Sequence, residues 1–161
     1  MSSGAPNTPQ ETEAFLREAI TGADVSPRRR YAFAVVHSDA ERLIGSIELR
    51  VVSFEHRRGE IGYVLPHQWW GHGATEATGR LLAFGFDQLG LHKISATCDP
   101  ENRGSVAVLT KSGMHQEGGL RDHVYVRGRW RDRLLFSVVA GSGERKECDT
   151  FGCTRLREPF A

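Results

Sequence analysis

Runs of apolar and β-branched residues separated by polar turns mark the chain from residue 31 onward. Such runs predict strands over residues 31–36, 42–52 and 60–65. Short polar turns join the three runs, and Pro66 ends the third. The pattern therefore predicts an antiparallel meander of three strands.

The hydrophobic period changes after residue 73. Apolar residues recur there at three- and four-residue intervals, which predicts an amphipathic helix to about residue 89 with Gly90 as its stop. A strand over residues 93–98, a short helix over 105–111 and a hairpin to residue 139 with its tip at 127–129 follow. Ahead of the meander, residues 8–22 have a capping-box start and helical spacing. This order predicts a mixed α/β sheet with crossover helices.

Length and composition fit one domain. The 161 residues are 39% hydrophobic and 25% charged, which argues against a disordered or a membrane protein. Lys+Arg 21 against Asp+Glu 20 gives a net charge of +1, so no global field favours nucleic acid or a membrane surface as a partner. Three scattered cysteines form no C-x-x-C pair, and the N-terminus lacks the features of a secretory signal. We expect a cytoplasmic setting.

The segment between the third strand and the long helix has the composition of an anion site. Gly71 and Gly73 let successive backbone N–H groups point into one concavity at the positive end of the helix dipole. A plain tight turn is the alternative interpretation. A dinucleotide fingerprint would need a third glycine at Glu76, and the Gly-Lys-Ser/Thr of a P-loop is absent.

Several motifs occur in one order along residues 10–139. They are Glu60-Ile61-Gly62-Tyr63, Gln68-x-x-Gly71-x-Gly73, Ala74-Thr75-Glu76-Ala77, Leu89-Gly90-Leu91-His92-Lys93-Ile94, Asn102-x-x-Ser105 and Lys111-Ser112-Gly113-Met114. By these motifs the sequence resembles the GNAT superfamily of acyl-CoA N-acyltransferases, in its RimJ/RimL-type branch. The resemblance implies a mostly antiparallel, twisted sheet with crossover helices.

The resemblance also implies a site for acetyl-CoA. Backbone groups near Val64 and Leu65, on a strand that splays from its neighbour, would pair with the pantetheine amides. Asn102 would contact the cofactor arm, with helix capping as the alternative role, and the Ser105 hydroxyl would protonate the departing thiolate. The pyrophosphate would be held by the loop residues Trp70, Gly71, His72, Gly73, Ala74 and Thr75. Family loops usually have one more residue before the Ala-Thr-Glu-Ala run.

Attack on a thioester needs a neutral amine, so some group must accept the proton of the amine. Glu60 is the first candidate for this base because it lies on the splayed strand, four residues before Val64. Asp122 and His123 in the late hairpin are alternatives, since that region borders the acceptor site in such enzymes. A plain surface role is open for each. Related sequences can carry a carboxylate where this chain has Val124.

The sequence thus predicts an acyl-CoA-dependent N-acyltransferase that works by direct attack, with acetyl as the acyl group. The acceptor would be a protein N-terminus or a small amine such as a polyamine or an antibiotic. A non-catalytic CoA-binding or interaction module is the alternative. His67 and His72 have no third ligand nearby in sequence, so we expect no metal.

We expect one acyltransferase domain over residues 1–140, with a leader at 1–9 and a polar, poorly ordered tail at 141–161. Family members usually begin with a strand and a helix before the segment that here starts at Thr8, so we expect that first strand and helix to be missing. The exposed sheet edge would then be covered by the tail or by a partner subunit in a homodimer.

Hairpin arginines at every second position predict one solvated strand face, with an acidic peptide or nucleic acid as the alternative partner; these are Arg127, Arg129, Arg131 and Arg133, together with Arg121.

Overall fold

The computed structural model of the chain describes residues 10, 13, 14, 17, 27–37, 41–66, 73–141 and 154–157. Residues 10, 13, 14 and 17 are helical, as the capping box and the helical spacing before the meander predict. Within the described ranges, no helix has the length and apolar character that a membrane crossing requires.

One mixed sheet carries the fold, as the sequence predicts. Among the described residues it has seven strands in the order β5-β6-β4-β3-β2-β1-β7, and only the β3–β4 pair is parallel. The strands are β1 (Arg30–His37), β2 (Arg42–Ser53), β3 (Arg58–Val64), β4 (Lys93–Cys98), β5 (His115–Val126), β6 (Arg129–Val139) and β7 (Thr154–Arg157). The crossovers contain α1 (Ala74–Ala83), which continues into a π-helical turn (Phe84–Gln88), and α2 (Arg103–Lys111).

The core lies between one face of the sheet and α1. Alternation along the meander places Leu49 opposite Ile61 on this face, and both are buried. Gly85 allows the helix to approach closely, because a Cβ atom there would stand 2.6 Å from Ile94 Cδ1 and 2.7 Å from Leu49 Cδ1. The predicted helix to residue 89 is therefore an α-helix whose last turn is π-helical at this contact.

Strands β3 and β4 separate at their carboxyl ends. Their ladder stops at the pair Ile61–Ala96, although β3 stays paired with β2 up to Val64 and β4 stays paired with β6 up to Cys98. Each strand follows its outer neighbour, so a gap opens in the middle of the sheet. This is the splay that the family resemblance predicts.

The β1 edge of the sheet is covered by β7, which comes from the tail. Residues 154–157 pair antiparallel with residues 34–37 of β1. The prediction of a poorly ordered tail is wrong for these four residues, because an unpaired sheet edge is a template for any extended segment. Coverage by the tail was one of the two outcomes that the sequence predicts for this edge.

Candidate active site

A cleft of about 340 Å³ occupies the gap between the separated ends of β3 and β4. Residues of one sheet face, such as Glu48 and Glu60, line it together with Leu109 and Ser105 from α2 on the core side. The cleft therefore passes through the sheet rather than lying on one face. Its size is at the lower end of the range for small-molecule sites.

Five predicted site residues that are far apart in sequence line this one cleft. They are Glu60, Val64, Asn102, Ser105 and His123. Leu65 is buried directly after β3 and does not line the cleft. The start of α1, with Gly73, Ala74 and Thr75, does not line it either. Trp70, Gly71 and His72 lie outside the described residues.

The start of α1 fits the phosphate-binding role that the sequence predicts. Gly73 precedes the helix with φ 90°, a left-handed conformation that favours glycine, and as the N-cap residue it has no side chain to cap the first N–H groups. The side chain of Ala74 is buried in the core, so this residue can offer a ligand only its backbone N–H. Thr75 is half-buried, and its carbonyl accepts a hydrogen bond from Ser112 Oγ at 3.5 Å.

Asn102 caps α2, which was the alternative role for this residue. Its Oδ1 accepts a hydrogen bond from the Ser105 backbone N–H at 3.0 Å. Because the cap uses only the amide oxygen, the side chain can serve the helix and still line the cleft. The same bond fixes the backbone of Ser105 at the cleft wall.

Tyr63 is a cleft residue whose role the sequence analysis did not single out. Its hydroxyl donates to the Ser105 carbonyl oxygen at 3.4 Å, so the backbone of Ser105 is held from both sides. Burial raises the pKa of Tyr63 from 10.0 to about 12. Tyr63 is therefore a neutral hydrogen-bond donor at neutral pH. Its place in the Glu-Ile-Gly-Tyr motif was the available signal.

Glu60 forms an ion pair with Arg50 at the cleft. Arg50 Nη2 lies 2.7 Å from Glu60 Oε2, and the two residues face each other across β2 and β3. This pair fixes the orientation of the carboxylate on the face of the sheet opposite α1. The Glu60 carboxylate lines the cleft there.

The late hairpin contributes His123 but not Asp122 to the cleft lining. The register of the β5–β6 ladder shifts between Leu120 and Val124, and Asp122 has φ 45° within this bulge. The Asp122 N–H donates to Asp132 Oδ1 at 2.9 Å, away from the lining. A base must lie at the cleft to reach the acceptor, and of the two alternative bases in the hairpin only His123 does so.

Cys98 also lines the cleft and is buried. Burial raises the pKa of its thiol from 9.0 to about 11. A protonated thiol is a poor nucleophile, so the cleft does not favour a cysteine-bound acyl group. Within the described residues, no three His, Cys, Asp or Glu side chains cluster closely enough to hold a metal ion.

The prediction of one solvated arginine face on the hairpin is wrong for Arg133. Arg121, Arg127 and Arg129 are exposed, whereas Arg133 is 7% exposed and lines the cleft. The exposed arginines lie in the part of the hairpin that extends past the end of β4. The β4–β6 ladder begins at the pair Cys98–Leu134, and Arg133 is the residue next to Leu134. Arg133 is therefore enclosed by the sheet.

Sequence comparisons connect this chain with acetyltransferases. The family model for the acetyltransferase (GNAT) domain matches residues 1–115. The uncharacterized N-acetyltransferase YoaA of Bacillus subtilis is 34% identical over 113 residues, which are 70% of this chain and 64% of YoaA. Spermidine N(1)-acetyltransferase of Escherichia coli is 31% identical over 105 residues, 65% of this chain and 56% of that protein. The chain spans less than two thirds of the length of the curated relatives it matches.

Solved structures give the same connection. Ribosomal-protein-S5-alanine acetyltransferase from Vibrio fischeri superposes with a TM-score of 0.71 at 26% identity, over 84% of this chain and 74% of that one. RimJ from Mycobacterium smegmatis, solved in complex with CoA-disulfide, has a TM-score of 0.72 at 30% identity, over 81% of this chain and 62% of that one.

Proposed function

Because the chain belongs to the acetyltransferase (GNAT) domain family, we propose that it transfers an acetyl group from acetyl-CoA to a primary amine. The observation that carries this proposal is the cleft at the β3–β4 gap, which brings Glu60, Ser105 and His123 together. A hydrogen-bonding strand edge, a proton acceptor and a hydroxyl donor are the parts that direct transfer needs.

The described residues fit acetyl-CoA. The backbone of Val64 and Leu65 beside the gap would bind the pantetheine amides, and the start of α1 from Gly73 to Thr75 would bind the pyrophosphate. Asn102 would contact the arm between them. Bound there, acetyl-CoA supplies an acetyl group activated as a thioester.

Glu60 is the proposed general base. An amine is almost entirely protonated at neutral pH, so its attack requires a group that accepts the proton. The ion pair with Arg50 holds the Glu60 carboxylate at the cleft, on the sheet face opposite α1. His123 is the second candidate, and its place in the lining supports it.

Ser105 is the proposed proton donor to the departing sulfur. Glu60 first accepts one proton from the ammonium form of the acceptor and later releases it to solvent. The neutral nitrogen then attacks the thioester. As the N–C bond forms and the C–S bond breaks, the thiolate takes the proton of the Ser105 hydroxyl, and the attacking nitrogen passes its remaining extra proton to the Ser105 oxygen, which restores the hydroxyl. Tyr63 and Asn102 position Ser105 through its carbonyl and its N–H. Tyr63 also supplies a neutral hydroxyl in the lining.

The acceptors of the relatives mark the range to test. One relative is named for spermidine and one structural neighbour for a ribosomal protein, so the proposed acceptor is a small amine or a protein N-terminus. A homodimer and a cytoplasmic setting stay predictions.

Thiol release from acetyl-CoA, measured over a panel of amines, tests this function. We expect turnover with at least one acceptor class, and a loss of about 10²-fold or more in kcat for Glu60→Gln, since it removes the base. Arg50→Gln is the matched control, because it breaks the same ion pair but keeps the carboxylate. Ser105→Ala should lower kcat without weakening CoA binding. Equal losses in Glu60→Gln and Arg50→Gln would assign the effect to the ion pair instead.

A CoA-binding module without catalysis is the second candidate. The sequence feature that favours it is the pyrophosphate loop, one residue shorter than is usual in the family. Tight CoA binding by calorimetry that Ser105→Ala leaves unchanged, together with no thiol release from any amine, would establish this function in place of the enzyme.

A further inference from the structure

Arg133 is a buried cation that has no charged partner among the residues the structure describes. Its side chain lines the cleft and the residue is 7% exposed. Among the residues that the structure describes, none forms an ion pair or hydrogen bond with its guanidinium. The one described side-chain nitrogen that is both fully enclosed and unpaired is Nε of Arg131. The nitrogens of Arg133 are therefore not sealed inside the protein, and its guanidinium borders the open space of the cleft. Arginine stays charged in proteins, so burial cannot be relieved by loss of a proton.

None of the acidic residues in the described lining forms an ion pair with Arg133. Glu48 is 2.8 Å from Arg30, and Glu60 is 2.7 Å from Arg50. Asp99, the third carboxylate of the lining, lies 3.9 Å from Arg131. Each carboxylate in the described lining thus has another arginine within 4 Å. Arg133 therefore borders the cleft without a carboxylate at ion-pair distance among the described residues.

The position of Arg133 assigns this charge to the acceptor end. Arg133 pairs with Leu120, next to the bulge that carries His123 and Val124 into the lining. The start of α1, where the pyrophosphate would bind, does not contribute to the described lining. A buried unpaired charge is unfavourable in the free protein, and an anionic ligand would repay the cost.

We propose that Arg133 binds the acceptor and selects amines that also carry a carboxylate, such as amino acids or acidic peptides, over polyamines. This inference rests on the proposed function, because it takes the ligand of Arg133 to be the amine that accepts the acetyl group. Guanidinium groups bind carboxylates in bidentate geometry with charge-assisted hydrogen bonds. The same charge repels a polycation such as spermidine.

Matched acceptor pairs test this selection. A dialanine peptide with a free carboxyl end is compared with the same peptide amidated, and an amidated peptide with a glutamate side chain is compared with its glutamine counterpart. We expect the carboxylate form of one pair to have a kcat/KM about 10- to 100-fold higher, and spermidine to be the poorest substrate. The two pairs separate a carboxyl terminus from a side-chain carboxylate as the recognised group.

Arg133→Met should abolish this preference, and Arg133→Lys should keep part of it. Arg129→Met, on the same strand but exposed, is the control and should leave the preference unchanged. CoA affinity should be the same in all four proteins. A loss of CoA affinity in Arg133→Met would overturn the proposal and assign Arg133 to the cofactor.

Stability separates binding from a structural role. Replacing an unpaired buried charge by an apolar side chain of similar volume should leave the melting temperature of Arg133→Met unchanged or raise it. A lower melting temperature, with equal losses for the carboxylate and amide acceptors, would show that Arg133 serves the fold and would contradict the proposal.

Failure of the proposed function has a different signature. If no amine releases thiol, binding of N-acetylated dialanine and of its amide to the CoA-loaded protein is measured by calorimetry. A preference of tenfold or more for the carboxylate, lost in Arg133→Met, would support the anion site and contradict the enzyme. Turnover of both members of each pair at equal kcat/KM would support the enzyme and contradict the anion site.

Discussion

At the scale of residues, the candidate site is a set of groups held in defined protonation states. Burial keeps the hydroxyl of Tyr63 and the thiol of Cys98 neutral at neutral pH, with pKa values of about 12 and about 11. Glu60 is oriented by its ion pair with Arg50, whereas no carboxylate of the described residues pairs with Arg133. The cleft therefore combines neutral donors with the carboxylate proposed as the base, and its protonated thiol suits direct transfer rather than a covalent relay.

The raised pKa of Tyr63 predicts a loss of stability at alkaline pH. Below pH 10 the hydroxyl is neutral in both states, but between about pH 10 and 12 the unfolded chain loses this proton first. The free energy of unfolding should fall through this window, and in Tyr63→Phe it should fall less, by about 1–2 kcal/mol. Urea unfolding at pH 9 and at the highest pH where folding is reversible measures the difference. Parallel pH profiles of the two proteins would show that Tyr63 ionises without penalty.

At the scale of elements, the site depends on where α2 begins. The cap by Asn102 sets the first turn, and that turn presents Ser105 to the cleft. Tyr63 at the end of β3 contacts the same residue, so the helix start is tied to the splayed strand. One helix end thus couples the stability of the fold to the position of the proposed proton donor.

Asn102→Ala should lower the free energy of unfolding by about 1 kcal/mol, because the Ser105 N–H loses its acceptor. For a chain of this size the melting temperature should fall by roughly 2–4 °C. Asn102→Asp is the control, since it retains a capping oxygen and should restore stability. If the amide also contacts the cofactor arm, both variants should bind CoA more weakly. Equal destabilisation by Ala and Asp would contradict the capping role.

At the scale of the whole molecule, the two edges of the sheet differ. The β1 edge is closed by β7, whereas β5 is the last strand on the other side among the described residues. The cleft lies between these edges, where the sheet divides into one group of strands continuing from β3 and another continuing from β4. Covering the β1 edge therefore supports the half of the sheet that carries Glu60 and Tyr63.

A chain that ends at Gly141 should be less stable than one that ends at Arg157. Removal of β7 exposes the edge of β1 along four paired residues, which should cost a few kcal/mol, because each net hydrogen bond contributes about 0.5–1.5 kcal/mol. Self-association through the open edge should increase. Urea unfolding and light scattering measure the two effects. If both chains unfold alike and stay monomeric, the β1–β7 pairing does not contribute to stability.

Patterns along the sequence predict most of the elements and part of the site. The period-2 runs place the meander within one or two residues of the observed strands, and the capping sequence at Asn102 places α2 within two. The motifs also identify Glu60, Asn102 and Ser105, and the position of the late hairpin adds His123; the fold gathers these four residues at one cleft. These features are local, because spacing decides which face of an element a residue occupies.

The tertiary structure alone decided what each face meets. Alternation placed Arg133 with the exposed arginines of the hairpin, but only the end of β4 at Cys98 determines which of them is enclosed. The contact between Tyr63 and Ser105 spans 42 positions, and the cover of β1 comes from the far end of the chain. Burial and charge pairing depend on such distant neighbours. The sequence by itself therefore determined the elements and their chemistry, and the packing of β3, β4 and β6 determined which charge is left for a ligand.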